Sequence, residues 1–267
     1  MSDDRSLIGT GSSAEVWAID DDRVLKLYHA HANAIPVALE EAAARAAHAL
    51  GLKVALPLGR VEEGGRLGIM FERIYGPTML AQMVRDPGRM WTLVRSLALY
   101  QARLHRDAPA WPSTTIPKVH TVLAHRIGLS AASARAKAKA LARLDSLSTG
   151  DRLCHGDLHP DNMLIASSGP VAIDWSKAMI GDPAADAART ALLIRYGASG
   201  AKGGAWVWRL GAAMSAGWYL FCYCRASGMA VRSIRDWRLP VAVAWYRGQP
   251  ELNRSGIAAW IEREAAR

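Results

Sequence analysis

Leu153-Cys154-His155-Gly156-Asp157-Leu158-His159-Pro160-Asp161-Asn162-Met163-Leu164-Ile165 sets a run of His, Asp and Asn between two apolar segments. Buried polar side chains are costly unless they find partners, so a loop this polar between strand-like flanks signals ligands or chemistry. The next acid set in apolar sequence is Asp174, which closes Val171-Ala172-Ile173 and precedes Trp175. Asp174 and Asn162 offer a charged and a neutral hard oxygen, the donor types that suit Mg²⁺. Asp157 is then left to accept a proton from an attacking hydroxyl, a division of labour that fits phosphoryl transfer. Two other readings stay open on this segment alone. A metal hydrolase would take His155, Asp157 and His159 as ligands, and a structural turn would use the Asp and Asn side chains to cap their own backbone.

Upstream, Gly9-Thr10-Gly11-Ser12-Ser13-Ala14-Glu15-Val16 fits a glycine-rich phosphate loop in which Ala14 stands where a third glycine is usual. Lys26 follows ten residues past Val16, inside Val24-Leu25-Lys26-Leu27. It is either a solvent-facing strand residue or a phosphate-binding amine, and alternation does not choose. On the alanine-rich stretch Ile35 to Leu50, Glu41 has Arg45 four residues on and reads as half of a surface pair. Glu40 shares its face with Ala43, Ala44 and Ala47 and is expected to point inward, toward Lys26. No G-x-x-x-x-G-K-[ST] occurs, nor a G-x-G-x-x-G leading from strand to helix, so a dinucleotide site is not expected.

Periodicity divides the chain near residue 76. Before it lie short strands at residues 6 to 28, a helix from Ile35 to Leu50, and strands Val54 to Val61 and Leu67 to Ile74 around the turn Glu62-Glu63-Gly64-Gly65. After it come helical segments Met79 to Val84, Met90 to His105, Val119 to Gly128 and Ala131 to Leu147. Short strands Arg152 to Cys154, Met163 to Ile165 and Val171 to Ile173 interrupt them, and helices resume from Pro183. Residues 1–76 are expected to form a nucleotide-binding lobe, and 77–267 a helical lobe carrying the catalytic loop and the acceptor-binding helices.

The 267 residues carry a net charge of +9. The basic residues are scattered, and the nearest approach to a stripe is Arg135, Lys137, Lys139 and Arg143, a solvated helix face, so no nucleic-acid partner is expected. Leu210 to Cys224 is too short to span a bilayer and reads as a buried helix, so no membrane association is expected. The acidic start Met1-Ser2-Asp3-Asp4 does not read as a signal peptide. Cys154, Cys222 and Cys224 read as core thiols, which suits a cytoplasmic protein, and a monomer or weak dimer is expected. Six of the ten tryptophans fall after Ala205 and read as helix packing.

In the order of its parts, the stretch from residue 6 to about 200 resembles the aminoglycoside phosphotransferase and choline kinase family. The resemblance rests on His155-Gly156-Asp157 with Asn162, on Ile173-Asp174-Trp175, and on Gly181-Asp182-Pro183 with Asp186. It implies an α+β, protein-kinase-like bilobal fold: a small antiparallel sheet with one helix, then a larger helical lobe, with ATP and Mg²⁺ between them. It also implies site roles. Asp157 is the catalytic base, supported by His155 and Asn162, and Asn162 and Asp174 hold the metal. Gly9, Gly11, Lys26 and Glu40 serve the nucleotide phosphates, and Glu72-Arg73-Ile74 forms a hinge facing adenine. The alternatives are a kinase of an aminoglycoside or another antibiotic, or a non-catalytic nucleotide-binding regulatory module. Within residues 201–267, ten Lys or Arg stand against four acids, a balance of +6. That charge disfavours a polycationic acceptor, so a neutral or anionic small-molecule hydroxyl compound is expected over an aminoglycoside.

Overall fold

A computed structural model describes residues 5–11, 13–29, 34–107, 115–197, 206–248 and 256–267. Ser12 of the glycine-rich loop and the side chains of Trp206 and Trp208 lie outside the described residues. Five strands, β1 (Ser6–Thr10), β2 (Ala14–Ala18), β3 (Arg23–Tyr28), β4 (Pro57–Glu63) and β5 (Arg66–Glu72), form one antiparallel sheet in the order β1-β2-β3-β5-β4. Helix α1 (Ala34–Ala49) packs on β4 and β5 through a face of small side chains, Ala43, Ala44, Ala46 and Ala47, which lets the helix lie close to the sheet. The β4–β5 turn is tighter than expected. Gly64 and Gly65 both take positive φ, and Glu63 already pairs with Arg66, as a two-residue hairpin requires.

The strand expected from Val54 begins only at Pro57, because Val54 instead bridges to Ala172 and ties the sheet-bearing half to the rest of the chain. The strand expected to reach Ile74 ends at Glu72, where the chain turns away: Arg73 N–H donates to Asp22 O at 2.7 Å. Gly76 then passes so near β-strand backbone that a Cβ would stand 2.2 Å from Ile165 O. Only glycine fits there.

Beyond it come α2 (Met79–Arg85), capped by the Thr78 side chain, then α3 (Met90–Asp107) and α4 (Val119–Gly128). Next is α5 (Ala134–Asp145), three residues shorter at its start than the periodicity suggested, since Ser133 caps Ala136 N–H. Three further strands are β6 (Arg152–Cys154), β7 (Met163–Ala166) and β8 (Gly169–Ala172), with β7 and β8 forming a hairpin. A fourth, β9 (Met179–Gly181), was not expected; it pairs with β6. The helices close with α6 (Pro183–Tyr196), α7 (Trp206–Ser227), α8 (Val231–Trp245) and α9 (Ile257–Ala266). Helix α6 is the centre of this half: it packs on α7 and α8, and most of its surface is buried.

Helix α7 departs from the fully buried helix expected there. Ala216, Tyr219, Cys222 and Tyr223 are buried, while Leu210, Met214 and Phe221 on the other side are exposed. No helix among the described residues is long and apolar enough to cross a membrane. Arg135, Lys139 and Arg143 are exposed, Cys154 and Cys222 are buried, and Cys224 is partly buried.

Candidate active site

Lys26 projects from β3 and, although burial opposes its charge, Glu40 and Asp174 raise its pKa and keep it protonated. Its Nζ lies 2.8 Å from both Glu40 oxygens and 2.9 Å from Asp174 Oδ1. Glu40 is 1% exposed and also accepts from the Tyr28 hydroxyl, two positions along the same strand face as Lys26. Glu41 points outward, to Arg45 and Arg60. Lys26 pairs with Val16 of β2, which Gly9 of β1 faces on its other side, and before β2 Gly11 N–H donates to Ala14 O at 2.8 Å.

Asp174 follows β8 with φ of 60°, and is the non-glycine residue with positive φ among those described. Such a backbone is tolerated by Asp and is a feature of functional sites. Its Oδ1 accepts from Lys26 and, at 2.6 Å, from Ser176 Oγ, while Oδ2 takes no partner among the described residues. Burial would raise its pKa, but Lys26 and Ser176 win and hold it at about 2.

The loop after β6 is built on Asp186 of α6. This wholly buried carboxylate accepts the backbone N–H groups of His155 at 3.0 Å and Gly156 at 2.8 Å, and the side chains of Gln101 at 2.9 Å and His105 at 3.1 Å. Burial acts to raise its pKa, and the hydrogen bonds from His105 and Gln101, with the His105 and His155 rings beside it, outweigh it, holding the group at about 2. Gly156 has φ of 77°, and a Cβ there would meet Lys177 O at 1.9 Å. Glycine is therefore required at the residue before Asp157.

His155 is buried beneath the loop rather than facing an open cleft. Its Nε2–H donates to Ile173 O at 3.1 Å and its Nδ1 accepts from Asp157 N–H at 3.3 Å, while burial lowers its pKa, so the ring is neutral. It joins the Asp157 backbone to Ile173, the residue between β8 and Asp174. Asn162 makes a second tie: its Nδ2 donates to Asp157 O at 3.0 Å and its own O accepts from Ile173 N–H. With the amide oriented this way, Asn162 Oδ1 is left free among the described residues, as is Asp174 Oδ2. One neutral and one anionic oxygen, both without protein partners, fit the donor set of a hard divalent cation.

The Asp157 carboxylate is gripped from two sides. Lys177 Nζ lies 2.5 Å from Oδ2 and Arg189 Nη2 lies 2.7 Å from Oδ1, and although burial opposes ionisation these cations hold its pKa well below the usual carboxylate range. Arg189 is buried and also donates to Gly156 O. Sequence reasoning missed both cations. Lys177 stands three residues after Asp174, and Arg189 one helical turn after Asp186, so each carried a positional signal, but none that named Asp157 as its partner. At the end of β5, Ile74 has neither backbone group hydrogen-bonded among the described residues, whereas Glu72 N–H donates to Leu56 O and the Glu72 side chain is exposed.

A five-stranded antiparallel sheet with one helix, a helical half, and a polar loop between them define an α+β fold of the kinase type. The profile of the phosphotransferase enzyme family matches residues 4–218, and the chain belongs to that family of small-molecule phosphotransferases. Among solved structures, it is similar to the amicoumacin kinase hAmiN in complex with AMP-PNP, Ca²⁺ and amicoumacin, at 15% identity and a TM-score of 0.68 over 99% of this chain and 88% of that one. It is also similar to choline kinase from Cryptosporidium parvum Iowa II, at 12% identity and a TM-score of 0.64 over 98% of this chain and 89% of that one. A third is the GDP complex of aminoglycoside 2'-phosphotransferase-IIIa, at 16% identity and a TM-score of 0.62 over 98% and 92% of the two chains. Comparison with curated protein sequences returns no match.

Proposed function

We propose that the protein transfers the γ-phosphoryl group of ATP to a hydroxyl of a small molecule, with Asp157 as the base. The observation that carries this reading is the bridge from Lys26 to both Glu40 and Asp174, which brings a phosphate-binding amine and a metal-binding acid together. Residues 1–76 form the nucleotide lobe: Gly9 and Gly11 present backbone to the phosphates, Lys26 neutralises them, and Glu40 holds Lys26 in place. The unbonded Ile74 backbone and the neighbouring Glu72 carbonyl are the adenine-facing groups. Residues 77–267 supply the catalytic loop and the acceptor site.

Asn162 Oδ1 and Asp174 Oδ2 would hold Mg²⁺, which when bound neutralises charge on the transferring phosphates. Asp157 orients the acceptor hydroxyl and takes its proton. Because Asp157 is held so firmly ionised, it is a weak base, and the proton moves late, as the bond to phosphorus forms. Of the two cations on Asp157, Lys177 is the one an acceptor can displace: its side chain is 42% exposed, against 8% for Arg189. His155 and Asn162 keep the Asp157 backbone in register with Asp174.

The acceptor is neutral or anionic rather than a polycationic aminoglycoside, because residues 201–267 carry a balance of +6. The protein acts in the cytoplasm, where ATP is supplied, as a monomer or weak dimer. An ADP-release screen over hydroxyl metabolites and antibiotics, with Asp157→Asn as the blank, tests the reading. Turnover of hydroxyl metabolites above the blank is expected, and micromolar KM for kanamycin would contradict the acceptor assignment.

A further inference from the structure

Beside the Asp157 loop, a cleft with room for about one water molecule, about 10 Å³, lies between α4, α6 and α8, walled by Leu123, Met179, Val241 and Trp245 and bearing two guanidinium groups, Arg126 and Arg189. Arg189 is committed to Asp157 and the Gly156 carbonyl, and it lies over the Trp245 ring at 5.8 Å. Arg126, on the last turn of α4, makes no hydrogen bond or ion pair among the described residues, and Asp157 is the carboxylate that acts on it from a distance. Burial in the cleft, with Arg189 and Arg247 nearby, presses its pKa down to about 10, and Asp157 is the acid that opposes them. A half-buried guanidinium with no protein acceptor is left to water, which an incoming anion would replace with charge-assisted bonds.

We propose that the acceptor carries an oxyanion, a carboxylate or a phosphate, and that Arg126, which is only partly buried, holds it on the open side of this cleft while the hydroxyl to be phosphorylated faces Asp157. The assignment rests on the reading of Asp157 as the base of a kinase and narrows its acceptor from neutral or anionic to anionic. The planar fork of Arg126 suits either oxyanion, since both accept two parallel N–H bonds. In the transfer, the acceptor oxygen bonds to the γ-phosphorus, the bond from that phosphorus to the bridging oxygen breaks, and its electron pair leaves with ADP. The hydroxyl proton passes to Asp157. Arg126 takes no part in these bonds; it places the hydroxyl by gripping the far end of the same molecule.

The test is ADP release over hydroxy acids and hydroxyalkyl phosphates, each paired with its uncharged amide or dephosphorylated counterpart, for the wild type, Arg126→Gln and Arg126→Lys. Turnover confined to charged members is expected, and the carboxylate and phosphate arms show which oxyanion is taken. Arg126→Gln should raise the acceptor KM at least about tenfold, the loss expected for a charge-assisted bond, while shifting the ATP KM far less. Arg126→Lys should recover part of the loss, which a merely structural role would not produce. Equal turnover of the uncharged partners, or an acceptor KM that Arg126→Gln leaves unmoved, overturns the proposal while leaving the kinase reading intact. Absence of turnover in every arm, together with no nucleotide binding by the wild type, overturns both.

Discussion

Lys26 Nζ lies 2.9 Å from Asp174 Oδ1 across 148 residues of sequence, so the sheet and the segment after β8 meet in an ion pair. With Glu40 on its other side, Lys26 has two anions to answer before any phosphate arrives. Nucleotide binding thus exchanges one set of anionic partners for another. Lys26→Met is expected to lower kcat/KM for ATP by roughly 10- to 100-fold, the worth of hydrogen bonds to charged groups, and Glu40→Gln by less, because Asp174 still orients the amine. Steady-state kinetics with varied ATP measure this, and equal losses in the two variants would contradict the ordering.

Asp157→Asn keeps the shape of the loop but removes the proton acceptor. A fall in kcat of about 100- to 10,000-fold is expected, the usual range for general base catalysis, with circular dichroism unchanged. Single-turnover kinetics separate this chemical loss from a change in binding.

The Asp186 network sets a stability that depends on pH. Its pKa of about 2 in the folded protein lies below the unfolded carboxylate value, so the stabilisation is complete above the unfolded pKa and is lost as pH falls through the folded one. The shift corresponds to about 2 kcal/mol, lost mostly between about pH 4 and pH 2. Urea midpoints of wild type and Asp186→Asn should therefore converge as pH falls through this window. Parallel curves would count against the network.

Gly156→Ala should be poorly tolerated, since the positive φ and the Lys177 carbonyl 1.9 Å from the added carbon act together. A loss of roughly 3 kcal/mol or more is expected from strain and overpacking combined. Thermal unfolding reads it directly, and a change within about 0.5 kcal/mol would show that the loop can relax.

The polar loop and its two strands were legible because residues 153–175 concentrate Asp, His and Asn at fixed spacing between apolar runs. The inward face of α1 was legible too, since Glu40 lies among alanines while Glu41 has Arg45 one turn on. Other parts were not. Strand β9 spans three residues, Met179–Gly181, too few to show alternation, and it exists because β6 offers an edge. Val54 looked like a strand start because it is β-branched and opens the apolar run Val54-Ala55-Leu56, yet its partner is Ala172, far along the chain. Arg189 reaches Asp157 through the packing of α6 beneath the loop and Lys177 through the turn after Asp174, relations that no local pattern encodes. The exposed side of α7 was hidden for the opposite reason: its residues are apolar on every face, so periodicity could not separate the buried side from the open one.

The central claim is that Asp157 and Asp174 serve one phosphoryl transfer. Its most direct test is acceptor-dependent transfer of label from γ-³²P-ATP, measured in a single turnover with Mg²⁺ for wild type, Asp157→Asn and Asp174→Ala. Labelled acceptor formed by the wild type, and by neither variant on the same timescale, is the predicted result. Transfer by Asp174→Ala at a rate near that of the wild type would contradict it.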